Sequence, residues 1–186
     1  MLANPAYSDE MDYRPYREYS TDGDERQFRD FMSADWAWDQ ADIITEDPET
    51  LGSMFVPIIL ISDKTMVSVA TRNNEYYPLY VSIGNVQQHV QHAHRDAVAI
   101  IGFLAMPKEY AEDPKFRAFR HQLFHSLLSR ILETLRPGMT KPEVAKFGDG
   151  HFGWVIYGLG PYIADYEEQV LLAYSESLVS EMLCTS

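Results

Sequence analysis

Two aspartates in this 186-residue chain stand where a carboxylate could handle a metal ion and a phosphate. Asp63, in LISDKT, closes the apolar run 54–62, so a strand would hold it rigidly at one end of a sheet. Asp165, in YIADYEEQ, opens an acidic stretch with Glu167 and Glu168. Two-metal phosphoryl transfer needs such groups, because hard oxygen ligands must hold Mg²⁺ or Mn²⁺ ions about 3.5–4 Å apart. Each residue also has an ordinary reading. Asp63 could be a turn former between two strands, and Asp165 an acid favoured by the dipole at a helix start. Taken singly, each fits the ordinary reading better, and both readings stay open on the residues alone.

The remaining motifs narrow the chemistry. His89, His92 and His94 share a polar stretch, and His121 and His125 form an i, i+4 pair of the kind that binds zinc beside a third ligand. No HExxH pattern and no cysteine accompanies them, so they read as boundary histidines. GxxxxGK[ST] and GxSxG do not occur, which argues against a P-loop and a nucleophile elbow. The sole cysteine, Cys184, allows neither an internal disulfide nor a cysteine-based zinc site within one chain, and an intracellular compartment is expected. No apolar run reaches 18 residues and no basic start precedes an apolar stretch, so neither a membrane span nor a secretory signal is expected.

Net charge is −13, but unevenly spread. Residues 1–50 hold 14 acids and 4 bases, while between Lys115 and Lys146 seven bases face only Glu133 and Glu143. A local basic face can bind phosphate on an acidic chain, so Arg117, Arg120, Arg130 and Lys141 are candidate DNA contacts; for any one of them a solvated helix face is the plainer reading.

The elements that must position these groups follow from periodicity. Residues 1–28 are polar, acidic and tyrosine-rich, and read as a partly disordered leader without a core of its own. Residues 29–47 read as a short amphipathic helix capped by Ser33, with Asp35 in its first turn and Trp36, Ile43 and Ile44 sharing a face. Three strands are predicted at 54–62, 65–71 and 76–83, joined by short connections as an antiparallel meander. A polar helix over 86–96 and a buried strand over 97–105 follow. Residues 115–135 carry apolar residues at helical spacing and end at Pro137-Gly138. Thr140-Lys141-Pro142-Glu143 predicts the start of another short helix, 154–157 a strand, 158–164 an irregular approach to Asp165, and 167–183 a final helix. The order is that of an α/β protein with a ribonuclease H-like layout, β-β-β-α-β-α, preceded by the leader.

Six stretches taken together resemble the core of Plavaka transposases of mushroom-forming fungi, distant relatives of CACTA-type transposases. They are FMSADWAWDQADII (31–44), FVPIILISDKTMVSVAT (55–71), YYPLYVSIGNV (76–86), AHRDAVAIIGFLAMPK (93–108), DPKFRAFRHQLFHSLLSRILETLRPGMTKPEV (113–144) and YGLGPYIADYEEQVLLA (157–173). The resemblance spans about residues 14–173. It implies a DDE/D transposase of ribonuclease H-like fold that cuts and joins DNA with Mg²⁺ or Mn²⁺ in the nucleus. In that reading Asp63 matches the first catalytic, metal-holding carboxylate and Asp165 resembles the second. The implied partners are transposon-end DNA and a full-length transposase.

The chain departs from the family pattern at several points. Gly153-Trp154 stands where basic residues are usual, and Tyr174 where a cysteine is usual. A WCPxC-like element resembling a zinc site is missing, and nothing matches the downstream core that would bring the third carboxylate. Glu176 and Glu181 lie in the wrong context to replace it. The resulting expectation is a partial, ribonuclease H-like core over 29–173 with an unrelated tail over 174–186, an inactive relic on its own. The rivals are a non-catalytic module that binds DNA or transposase, and an active nuclease using a C-terminal glutamate.

Overall fold

The computed structural model describes residues 1–23, 25–69, 72–93, 95–105, 113–165 and 169. The chain divides into two compact units. The first comprises Met1–Ile59, Ser82–Ala99 and Pro137–Pro161, the second Leu60–Val81, Ile100–Arg136 and Tyr162–Ser186.

The strands are a ribbon of β1 (Glu18–Tyr19) and β2 (Arg26–Gln27), then β3 (Met54–Ser62), β4 (Thr65–Val69), β5 (Arg72–Ile83), β6 (Ala99–Leu104), β7 (Glu143–Lys146) and β8 (Phe152–Ile163). The helices are α1 (Asp35–Glu46), α2 (Gln88–Ala93), α3 (Pro114–Ile131) and α4 (Pro137–Thr140). A six-stranded sheet runs β4-β5-β3-β8-β7, with β6 also on β5.

The expected three-strand meander takes a different form. β4 pairs antiparallel with β5, Thr65 opposite Tyr76 and Val69 opposite Arg72. The Gly84 N–H donates to the Pro57 carbonyl at 2.8 Å in the same continuous register. β3 and β4 are therefore one arm of a long hairpin, interrupted at Asp63 and Lys64. β6 takes the other edge of β5. Ser82 Oγ donates to the Ala97 carbonyl at 2.8 Å, and Tyr76 and Phe103 meet edge to face at 6.5 Å, so the two strands run antiparallel. β8 lies beside β3 and parallel to it. A Cβ on Gly158 would meet Phe55, Gly160 approaches the Ile58 carbonyl, and Tyr162 bonds Ser62, so both chains advance in one direction.

In the first unit, Phe55, Val56, Ile58, Ile83, Val90 and Val155 are buried. The leader, expected to lack a core of its own, lends Tyr7 and Met11 to this one, because their apolar bulk is better hidden than solvated. It is tied down by polar contacts as well. Buried Asn85 donates through Nδ2 to the carbonyls of Asp12 and Phe55, both at 3.0 Å. Tyr16 Oη donates to Asp30 Oδ2 at 3.2 Å. Burial, then the charges of Asp12, Asp30 and Glu18, push the Tyr16 pKa up to about 12.

Ser33 is not the cap of α1. Its Oγ is turned back, accepting from the Arg29 N–H at 3.0 Å and donating to the Asp30 carbonyl at 2.6 Å, while Ala34 holds the cap position. Asp35 does occupy the first turn. The helix expected after Thr140 is instead strand β7, a hairpin with β8 that sets Glu143 opposite Val155. The short α4 takes the turn before it, and cross-strand pairing outweighs a weak capping signal. Gly150, at φ +89°, makes the hairpin turn. Residues 158–163, expected to be irregular, continue β8.

In the second unit, α3 buries Phe124, His125 and Leu128 and is separated by Leu132 alone from a 3₁₀ segment, Glu133–Leu135. Phe124 meets Tyr162 at 6.2 Å, and a Cβ on Gly102 would strike Ile131. The run 97–105 was expected to be buried. β6 instead has Ile100 at 56 % and Phe103 at 59 % exposure, so neither face of the strand is fully covered. The helix expected over 167–183 and the tail 174–186 lie outside the described residues, Gln169 apart.

Two outcomes are expected. Gly158→Val should lower the urea unfolding free energy by about 1–3 kcal/mol, since its Cβ would lie 2.5 Å from Phe55 Cε2, whereas Gly23→Ala, with nothing within 4 Å, should be neutral. The raised Tyr16 pKa means that the native state keeps a proton that the unfolded chain releases near pH 10. That stabilisation is complete below about pH 10 and is lost as pH rises toward about 12, so Tyr16→Phe should flatten the alkaline fall in urea midpoint.

Candidate functional site

Asp63 and Asp165 both belong to the second unit. Asp63 sits in the break between β3 and β4. Continuing the β4–β5 register by two residues sets it opposite Pro78, which has no N–H to give the ladder. Pairing lapses there, and the aspartate is exposed within what is otherwise a continuous arm.

Asp165 lies two residues beyond β8, also exposed. Its carbonyl accepts the Gln169 N–H at 3.0 Å, and Gln169 Nε2 donates to the Ala164 carbonyl at 2.7 Å.

The hydroxyls of Ser62 and Tyr162 tie the two ends together at 2.7 Å. Ser62 is buried and directly precedes Asp63; Tyr162 is three residues before Asp165 and packs its ring on Phe124. The structure thus brings the two predicted carboxylates to the same end of two neighbouring, parallel strands. Sequence reasoning missed the tyrosine–serine clamp and the proline opposite Asp63. The signal for the first was a hydroxyl residue beside each aspartate-bearing strand end.

Exposed carboxylates at two adjacent strand ends are a donor set suited to a hard divalent cation, so Mg²⁺ or Mn²⁺ fits the chemistry of these residues. Among the described residues no group of three or more histidine, cysteine, aspartate or glutamate side chains is placed to hold a metal ion. His121 and His125 stack at 6.3 Å, with His125 buried and packed edge to face on Phe124.

The candidate DNA contacts separate. Arg117, Arg120 and Arg130 lie on α3, whereas Lys141 follows α4 in the other unit. Arg117 is exposed; Arg120 is half-buried, with its Nε enclosed and without a hydrogen-bond partner among the described residues. Arg130 is held by Glu133 in an ion pair one turn on, which reduces the charge it offers a phosphate. Arg117 and Arg120, one turn apart, are the pair that α3 presents together. Gly153 of the departing Gly-Trp pair packs on Phe147, and Trp154 is exposed on β8.

A family model described as Plavaka transposase matches residues 1–184. The chain belongs to the Plavaka transposase family, and so to the transposase-derived proteins, whose general partner is DNA. No curated protein and no solved structure matches it. Among the described residues no helix is long and apolar enough to cross a membrane.

Removing the clamp gives a direct check. Tyr162→Phe deletes one hydroxyl and leaves Ser62 buried without that partner, so unfolding free energy should fall by about 1–2 kcal/mol in urea titration, with native circular dichroism retained.

Proposed function

We propose that this chain forms the ribonuclease H-like core of a DDE/D-type DNA transposase and that Asp63 and Asp165 are the first two of its catalytic carboxylates. The observation that carries the reading is their position at the same end of the parallel pair β3 and β8. The strand order supports it too. A long hairpin, a third antiparallel strand on its far edge, a helix, and a return strand parallel to the first make up the layout expected of that fold.

Asp63 is held by a strand on one side and freed from the ladder by Pro78, so its carboxylate faces solvent without loosening the sheet. Asp165 is fixed by the Ser62–Tyr162 bond upstream and by the Gln169 bonds downstream. Both oxygens can then meet a cation without a large ordering cost. A bound Mg²⁺ or Mn²⁺ would polarise a phosphodiester and acidify water. Arg117 and Arg120 would hold the DNA backbone, and the protein would act on chromosomal DNA in the nucleus, on transposon ends and beside other transposase copies.

Mn²⁺ titration followed by water-proton relaxation tests the carboxylates. The expected result is one weak site whose affinity falls at least roughly tenfold in Asp63→Asn and in Asp165→Asn but not in Glu133→Gln. Equal affinity in all four proteins would refute the assignment. Mn²⁺-dependent cleavage of labelled end DNA, lost in Asp63→Ala, is the activity expected of a complete ligand set; metal binding with DNA retention alone would assign the chain a non-catalytic binding role. For the helix, Arg117→Ala with Arg120→Ala should weaken DNA binding and reduce the slope of log affinity against log salt by about 2.

A further inference from the structure

The first unit carries an exposed surface that the transposase chemistry does not use. Helix α1 buries only Ala37. Trp36 is 37 % exposed and Ile43 59 %, and at about 100° per residue the two fall on one stripe. Asp35, Asp39, Asp42 and Glu46 recur at helical spacing and fall on the stripe next to it, all exposed. Asp35 is paired with Arg26 at 3.0 Å; among the described residues Asp39, Asp42 and Glu46 have no ion-pair partner.

An apolar groove opens beside the start of this helix. Phe31, Ala34, Trp36, Leu159, Gly160 and Pro161 line it, with a volume of about 370 Å³. That is enough for one large apolar side chain. Trp36 is braced there by Phe31 at 5.5 Å and Phe55 at 5.6 Å, so the indole is pre-set rather than mobile. Elsewhere in this unit the chain covers its own aromatic rings with arginine: Arg17 lies 4.8 Å over Trp38 and Arg26 5.0 Å over Phe28. Among the described residues no arginine or lysine lies over Trp36.

We propose that α1 and this groove bind a basic peptide segment of another protein, an apolar side chain entering the groove and Lys or Arg side chains lying along Asp39, Asp42 and Glu46. Charge decides the occupant. An anionic partner, such as a nucleic acid, would meet four carboxylates on the open flank of the groove, within residues 1–50, which hold 14 acids against 4 bases. A basic segment gains Coulomb attraction on that stripe and a cation–π contact at Trp36, and it anchors by burying one apolar group.

Fluorescence anisotropy of the full chain with a labelled twelve-residue Lys/Arg/Leu peptide, leucines at helical spacing, tests this. Expected is saturable binding that weakens with salt, drops roughly tenfold in Asp39→Asn with Asp42→Asn, and drops a few-fold in Ile43→Ser. Trp36→Ala should lose it as well, but since Trp36 also packs on Phe31 and Phe55, the two exposed-site variants decide. A peptide with leucine replaced by serine should bind at least several-fold more weakly. Undiminished binding to both variants would show attraction to overall charge only and overturn the proposal. So would sedimentation showing that the same substitutions abolish self-association of the chain, which would make a second copy the occupant.

Discussion

The close parallel pairing of β3 with β8 is the constraint on which the rest of the architecture depends. Parallel neighbours cannot be joined by a tight turn, so everything between residues 62 and 152 becomes one long crossover that carries the hairpin, β6 and α3. The pairing is made possible by glycine. Gly158 accommodates the Phe55 ring, and Gly160 lets the chain pass beside the Ile58 carbonyl. A side chain at either position would push β8 away and with it Tyr162, the residue that joins the two strand ends.

These glycines show where sequence patterning reached its limit. GLGPYIA reads as a punctuated loop because glycine and proline usually break strands. Here the glycines answer to aromatic packing from a residue about a hundred positions away, which no local window contains. The apolar run 54–62 and the stripe of α3 were legible, since periodicity alone specifies them. The run 97–105 was legible as a strand but not in its burial, because continuous apolarity does not say what packs on the two faces of the sheet. Thr140–Glu143 misled for a related reason: capping residues state a local preference, and strand pairing with 152–155 was the larger effect.

For the candidate site, the two aspartates were readable as residues and their meeting was not. Asp63 looked like a turn residue, and it does stand at an interruption of a strand. The interruption comes from Pro78 across the ladder rather than from a reversal of the chain. Likewise, the acidic leader looked unstructured because charge dominates its composition. The aromatic and sulfur side chains of Tyr7, Met11 and Tyr16 seat it, with Tyr16 bonded to Asp30.

The segmental make-up of the first unit bears on how the protein is made. Its pieces lie at Met1–Ile59, Ser82–Ala99 and Pro137–Pro161, so its core is still missing β8 until residue 161 has left the ribosome. A chain emerging N-terminus first therefore spends most of its synthesis with Phe55, Val56 and Ile58 uncovered. Closure of this unit is a late, long-range event, and its folding speed is limited by topology more than by helix formation. A nascent chain of this kind is a natural client for chaperones that shield apolar segments during translation.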